Sequence, residues 1–267
     1  MVLGDFLATQ DKHKLSFYEA SINISRGGSG QTLLLLHGAG GSDNLKNLAA
    51  QLATDYDVIL PDHPGFGLSD LSQRLSSVSD LAFYYLDFIR ELNLKDIHLV
   101  GFSMGGWIAA EIAIRSATNL KNIALVSSAG IHVKGVPKGD LFLWSPEELV
   151  RNLYVNPDVI DDILSQEPTS NKLEIMVKNR VAAARYAWHP RFYNPDLEKW
   201  LHRIDIPALI LWGDQDKIFP VEYQSAFKRL IPHAQTQIFK NCGHVPHMDQ
   251  PEAFYHSLKS FLSETNS

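Results

Sequence analysis

Short apolar runs alternate with longer stretches of mixed apolar and polar residues along most of the chain. The apolar runs cover residues 32–36, 58–60, 97–100, 123–126, 208–212 and 236–239. The stretches between them predict helices over residues 44–53, 79–92, 106–117, 220–230 and 251–262. This alternation is typical of βαβ units. The expected fold class is therefore α/β, with a mostly parallel central sheet flanked by helices.

Local signals refine the ends of these elements. Ser77, followed by Asp80, matches a capping box, and Pro251 suits the first position of a helix. Residues 15–24 alternate loosely between apolar and polar, which predicts an antiparallel hairpin at the sheet edge. We expect the glycine-rich segment 27–30 to close this hairpin.

The strand pattern stops between residues 132 and 206. Three helix starts of one type appear there, each with a capping side chain, a proline and an acid: Ser145-Pro146-Glu147, Asn156-Pro157-Asp158 and Asn194-Pro195-Asp196. We therefore predict a core of residues 1–131 and 207–267, interrupted by a helical cap insertion at 132–206.

Composition narrows the class of protein. The chain of 267 residues is 45% hydrophobic and 20% charged, which suits one large domain with an inserted subdomain. Its net charge of −6 argues against a nucleic-acid partner. No apolar run approaches the ~20 residues of a membrane-spanning helix, and residues 1–14 lack a signal-peptide layout. We therefore expect a cytoplasmic protein without a membrane partner. A single cysteine, Cys242, excludes an internal disulfide and a cysteine-based metal cluster, which agrees with a reducing compartment. The oligomeric state stays open.

The segment Gly101-Phe102-Ser103-Met104-Gly105 joins an apolar run to a helical pattern. A strand, a sharp turn and a helix form the context that a nucleophile elbow requires. Glycines on both sides suit a strained turn that neighbouring chains approach closely. Ser103 is therefore a candidate nucleophile.

Ligands of open parallel sheets bind beyond the carboxyl ends of the strands, so residues after each apolar run are informative. A serine nucleophile needs a histidine as base and a carboxylate to orient that base. Asp214 and Asp216 follow one run, and His244 comes later in the chain. This order of serine, acid and histidine is the one found in α/β-hydrolases.

The chain resembles the α/β-hydrolase family over nearly its whole length. The resemblance rests on five segments: Leu36-His37-Gly38-Ala39-Gly40, Asp62-His63-Pro64-Gly65-Phe66-Gly67-Leu68-Ser69, Gly101-Phe102-Ser103-Met104-Gly105-Gly106, Trp212-Gly213-Asp214-Gln215-Asp216 and Cys242-Gly243-His244. It implies a cofactor-free serine hydrolase with the triad Ser103, Asp216 and His244. It also implies an oxyanion hole formed by the backbone N–H groups of Ala39 and Met104.

Several residues have competing interpretations. Asp214 competes with Asp216 as the acid, and the family pattern favours Asp216. His37 is expected to support neighbouring loops rather than take part in chemistry. His247 lies three residues after His244, but without an H-E-x-x-H helix the pair does not indicate a metal site.

We expect residues of the cap to determine which substrate binds. Related hydrolases of ring-fission products, the meta-cleavage product hydrolases, bind a substrate carboxylate with an arginine of the cap, and Arg180 matches that position. Val245 departs from them, because they usually have tryptophan after the histidine. A salt-bridged or solvated Arg180 is the competing interpretation. Further candidates for substrate contact are Gly38, Gly40, Trp144 and Trp188.

These observations predict a carboxylesterase-like enzyme that acts on a small, fairly apolar ester. One alternative is a carbon-carbon bond hydrolase of ring-fission dienoates. Another alternative, from a different class, is a ligand receptor that keeps a vestigial triad.

Overall fold

A computed structural model describes residues 10–15 and 18–264 of the chain. Its strands are Gln10–Leu15 (β1), Ala20–Gly27 (β2), Thr32–Leu36 (β3), Asp57–Pro61 (β4), Ile97–Phe102 (β5), Leu120–Val126 (β6), Ala208–Gly213 (β7) and Gln235–Phe239 (β8). Its α-helices are Lys46–Leu52 (α1), Val78–Glu91 (α2), Met104–Arg115 (α3), Pro146–Leu153 (α4), Pro157–Ser165 (α5), Ser170–Ala187 (α6), Glu222–Leu230 (α7), Pro246–Asp249 (α8) and Pro251–Glu264 (α9).

The described strands form one sheet in the order β1-β2-β4-β3-β5-β6-β7-β8. β1 and β2 pair antiparallel, as do β2 and β4, and the remaining pairs are parallel. The predicted α/β class and the antiparallel edge are therefore confirmed. Within the same described residues, no helix combines the length and the apolar character needed to span a membrane.

One detail of the predicted hairpin is wrong. Leu15 pairs with Ala20, so the hairpin reverses direction between these residues and not at segment 27–30. That segment instead leads from β2 to β3, which pairs with β4 and β5. A Cβ on Gly28 would lie 2.0 Å from the Tyr56 carbonyl oxygen, so a glycine is needed where the chain passes close to the start of β4.

The central strands are buried on both faces, because alternate side chains enter two separate helical layers. On β3, Leu33 and Leu35 join the layer of α1 and α9, whereas Leu34 and Leu36 join that of α2, α3 and α7. This double burial explains the near-continuous apolar runs in the sequence.

Residues 132–206 contain α4, α5 and α6 and two 3₁₀ turns, Leu197–Lys199 and Leu201–Arg203. Ser145 and Asn156 cap α4 and α5 as predicted. The third predicted helix start is wrong. Asn194 accepts a hydrogen bond from Asp196 N–H, but only the 3₁₀ turns follow, and they bury Leu197 and Leu201 in the core. The division of the chain into core and cap stays a prediction.

Candidate active site

Ser103 occupies a strained turn between β5 and α3. Its backbone has φ 53° and ψ −113°, a conformation that L-residues rarely adopt. A Cβ on Gly101 would lie 2.3 Å from Gly105 O, and one on Gly105 would lie 2.0 Å from Leu36 O. Both glycines are therefore required for α3 to pack closely against β5 and β3, and the turn has the geometry expected of a nucleophile elbow.

The loop after β3 lies directly against this serine. A Cβ on Gly38 would be 3.2 Å from Ser103 Cβ and 3.8 Å from its Oγ. Ala39 follows in the 38–41 turn, which is closed by a 3.1 Å hydrogen bond from Gly41 N–H to Gly38 O. Met104 is the first residue of α3, where backbone N–H groups have no partner within the helix. Both predicted oxyanion donors thus belong to segments that adjoin Ser103.

His244 and Asp216 form a buried pair. His244 Nδ1 lies 2.8 Å from Asp216 Oδ2. The second carboxylate oxygen, Oδ1, accepts the N–H groups of Ile218 at 2.8 Å and Phe219 at 3.0 Å. Because an ionised carboxylate can only accept, His244 must donate from Nδ1, which leaves Nε2 able to take up a proton.

Asp214 has a different environment. Its Oδ1 accepts the Cys242 N–H at 3.3 Å, and its Oδ2 lies 3.7 Å from the exposed Lys240 ammonium. Asp214 therefore fixes the segment before His244, whereas Asp216 contacts the imidazole itself.

His37 contacts the neighbouring loops, as expected from the sequence. Its Nε2 accepts the backbone N–H of His63 at 3.0 Å, so the proton lies on Nδ1, which donates to Gly38 O at 2.7 Å. The His63 ring donates from Nε2 to His37 O at 2.9 Å. Burial lowers the pKa of both imidazoles. Two neutral histidines thus support the segment that leads into the 38–41 turn.

Comparison with known proteins extends these observations. The model of a family described as "Alpha/beta hydrolase family" matches residues 33–256. This chain belongs to the alpha/beta hydrolase family. Lipase 1 of Psychrobacter immobilis is 29% identical over 255 residues, covering 88% of this hydrolase and 78% of the lipase.

Other relatives differ in the chemistry that their names describe. A 2-hydroxy-6-oxononadienedioate/2-hydroxy-6-oxononatrienedioate hydrolase of Paraburkholderia phymatum is 28% identical over 272 residues, covering 92% of each chain. The crystal structure of a membrane phospholipase A, described as a bacterial virulence factor, superposes with a TM-score of 0.79 at 30% identity. That superposition covers 98% of this alpha/beta hydrolase and 88% of the phospholipase.

Arg180, on α6 of this hydrolase, makes hydrogen bonds with backbone carbonyls. Arg180 Nη2 donates to Phe142 O at 2.8 Å and to Trp144 O at 3.3 Å. Trp144 is half-buried and packs against the core. Trp188 is 53% exposed, with the Arg191 guanidinium 4.0 Å above its ring. Both tryptophans thus make contacts within the protein, and contact of either one with a substrate stays a prediction.

The other sequence candidates, Val245 and His247, follow His244 closely in the chain. Val245 is buried directly before α8, and its carbonyl accepts N–H groups of that helix. His247 lies on α8 and packs against the rings of Phe102 at 4.9 Å and Phe254 at 5.8 Å. Burial lowers the pKa of His247 to about 3. No group of three or more potential metal ligands is placed together among the described residues.

Asp249 is a buried residue of the site that sequence reasoning missed. Its carboxylate accepts the N–H of Gly243 at 2.7 Å and those of Val155 and Asn156 at 3.1 Å. The His244 N–H in turn donates to Leu153 O at 2.8 Å. The segment that carries His244 is therefore hydrogen-bonded to the end of α4 and to the two residues that follow Tyr154. Only the position of Asp249 five residues after His244 hints at this role in the sequence.

Proposed function

We propose that this hydrolase cleaves a small, fairly apolar carboxylic ester through an acyl-enzyme on Ser103. The observation that carries the proposal is the buried 2.8 Å contact between His244 and Asp216, which follow β8 and β7 of the mostly parallel sheet whose β5 ends at the Ser103 turn. An oriented histidine base and a strained, accessible serine are the two components that covalent acyl transfer requires.

The proposed reaction has two steps. His244 Nε2 takes the proton of Ser103 Oγ as this oxygen attacks the ester carbonyl. The N–H groups of Ala39 and Met104 stabilise the resulting oxyanion, at a few kcal/mol per donor. His244 then protonates the departing alcohol. In the second step a water molecule gives a proton to His244 as it attacks the acyl-enzyme. His244 then returns this proton to Ser103 Oγ, and the carboxylic acid and free Ser103 are released.

An ester is favoured over a dienoate by two features of the chain. One terminal nitrogen of Arg180 is hydrogen-bonded to the carbonyls of residues 142 and 144. This argues against a guanidinium that is free to bind a substrate carboxylate. Val245 replaces the tryptophan expected of hydrolases of ring-fission products. The Paraburkholderia relative, which is named for a dienedioate, supports carbon-carbon bond cleavage as the second candidate function.

A substrate panel tests the proposal. We expect sustained turnover of p-nitrophenyl esters with short to medium acyl chains. A correctly oriented base lets water hydrolyse each acyl-enzyme, so the free enzyme is regenerated after every cycle. One assay measures the release of p-nitrophenolate from the esters, and a parallel assay measures the hydrolysis of a vinylogous dienoate. A burst of one equivalent without further product would indicate a receptor with a vestigial triad. A kcat/KM that is higher for the dienoate than for every ester would establish the carbon-carbon hydrolase instead.

Replacement of Arg180 separates the two enzymatic functions. We expect Arg180→Leu to raise KM by similar, small factors for neutral and acidic substrates, because the lost hydrogen bonds are those to Phe142 O and Trp144 O. Arg185→Leu is the matched control, since Arg185 lies on the same helix and donates to Leu75 O. A KM increase above ~100-fold confined to acidic substrates, roughly 2.7 kcal/mol, would identify Arg180 as a carboxylate anchor.

A further inference from the structure

Asn179 is a polar residue on the buried face of α6, where Ala182, Ala183 and Tyr186 also lie. It is 5% exposed. A buried amide destabilises the fold unless both its donor and its acceptor are hydrogen-bonded. The partners of this side chain therefore indicate what it does in the cap.

Both partners belong to loops beyond the carboxyl ends of the sheet. Asn179 Nδ2 donates to Gly40 O at 2.8 Å, and Oδ1 accepts the Gly67 N–H at 2.8 Å. The backbone of Gly41 makes room for the amide: a Cβ there would lie 2.4 Å from Asn179 Nδ2. Gly41 has φ +96°, which an L-residue rarely adopts. The 38–41 turn is thus shaped around this side chain.

The two ends of this turn are held by different contacts. The Gly41 N–H closes the turn onto Gly38 O, and His37 Nδ1 donates to the same carbonyl. At the opposite side, Asn179 bonds Gly40 O. Ala39 lies between these two attachments, so the direction of its N–H depends on both of them.

We propose that Asn179 is a positioning residue that directs the Ala39 N–H at the oxyanion of the reacting substrate. The inference rests on the proposed function, because it needs a tetrahedral intermediate on Ser103. Removing one oxyanion donor costs about 10²–10³ in kcat, and Asn179 acts through the donor. We expect its loss to lower kcat by about 10–100-fold and to leave KM within threefold, because only the transition state carries the developing charge.

Asn179→Asp isolates the contact with Gly40. The carboxylate has the shape of the amide and keeps an acceptor for the Gly67 N–H, but it sets an oxygen against Gly40 O. Asn179→Ala removes both bonds without adding charge, so the inference stays testable if the aspartate variant does not fold. Lys178→Met is the matched control. Lys178 precedes Asn179 and donates to Gly67 O and Ser69 O, so its loss weakens cap attachment without touching Gly40.

The experiment measures ester turnover and the rate of inactivation by diethyl p-nitrophenyl phosphate. In that reaction Ser103 Oγ bonds to phosphorus, p-nitrophenolate leaves, and His244 receives the serine proton. The readout does not depend on the natural substrate, yet it needs the same oxyanion donors. We expect slower inactivation and lower kcat in either folded Asn179 variant, with Lys178→Met close to the parent.

Three results would overturn the inference. The first is a parent-like kcat and inactivation rate in the folded Asn179 variants, and the second is an effect confined to KM. The third is an equal loss in Lys178→Met, which would show general loosening of the cap. If the parent itself released no p-nitrophenolate from p-nitrophenyl esters, the proposed function would fail first, and the role of Asn179 with it.

Discussion

Ser103→Ala and His244→Ala are each expected to lower kcat for a p-nitrophenyl ester by about 10⁴-fold or more. Nucleophile and base act as a unit, so removal of either one removes nearly the whole covalent route. The proposed oxyanion donors, Ala39 and Met104, remain in both variants, which should leave a small rate above that of water. Steady-state kinetics on the purified variants measures the effect.

The control for this pair is His256→Ala, which changes an exposed histidine on α9. It should retain the activity of the parent, and thermal unfolding should show that all three variants are folded. Rates within tenfold of the parent for the Ser103 or His244 variant would exclude the proposed triad.

Asp216→Asn is expected to slow turnover by about 10⁴-fold, the loss expected when a triad histidine is held in the wrong tautomer. The N–H groups of Ile218 and Phe219 require an acceptor at Oδ1, so the amide oxygen takes that position. The amide NH₂ then faces His244 Nδ1 and donates to it. This forces the imidazole proton onto Nε2, which can no longer take the proton of Ser103.

Asp214→Asn provides the matched comparison. An asparagine there still accepts the Cys242 N–H, and the lost charge faces the exposed Lys240 ammonium at 3.7 Å. We expect kcat within a fewfold of the parent. A mild Asp216→Asn beside a severe Asp214→Asn would reassign the acid.

The sequence predicted the parts of this molecule that depend on local pattern. The apolar runs marked the strands from β3 to β7, because strands buried on both faces have few polar residues. The run at residues 236–239 marked β8, although four of the five residues in that strand are exposed. Ser103 was recognisable because its turn needs small neighbours at fixed spacing. The predicted helix start at Asn194 was wrong because contacts in the folded protein overrode the local sequence signal. Asn194 and Pro195 give a local helix signal, yet the burial of Leu197 and Leu201 holds the following residues in 3₁₀ turns.

Contacts between distant parts of the chain were not predictable in this way. Asn179 bonds Gly40 across 139 positions and Gly67 across 112, and neither periodicity nor spacing reports such pairs. The neighbouring Arg180 was a sequence candidate because a positively charged side chain can bind a substrate carboxylate. The structure shows that the uncharged residue beside it reaches the 38–41 turn.

The attachment of the His244 segment to the end of α4 has a consequence for protein engineering. Replacing residues 132–206 with the corresponding segment of another family member would be one way to alter substrate specificity. In this hydrolase Asp249 binds the N–H groups of residues 155 and 156, while Leu153 O holds the His244 N–H. A transplanted segment must therefore reproduce the backbone of residues 153–156 as well as supply a new pocket. A graft joined within that segment would break these hydrogen bonds and displace His244 even in the absence of substrate.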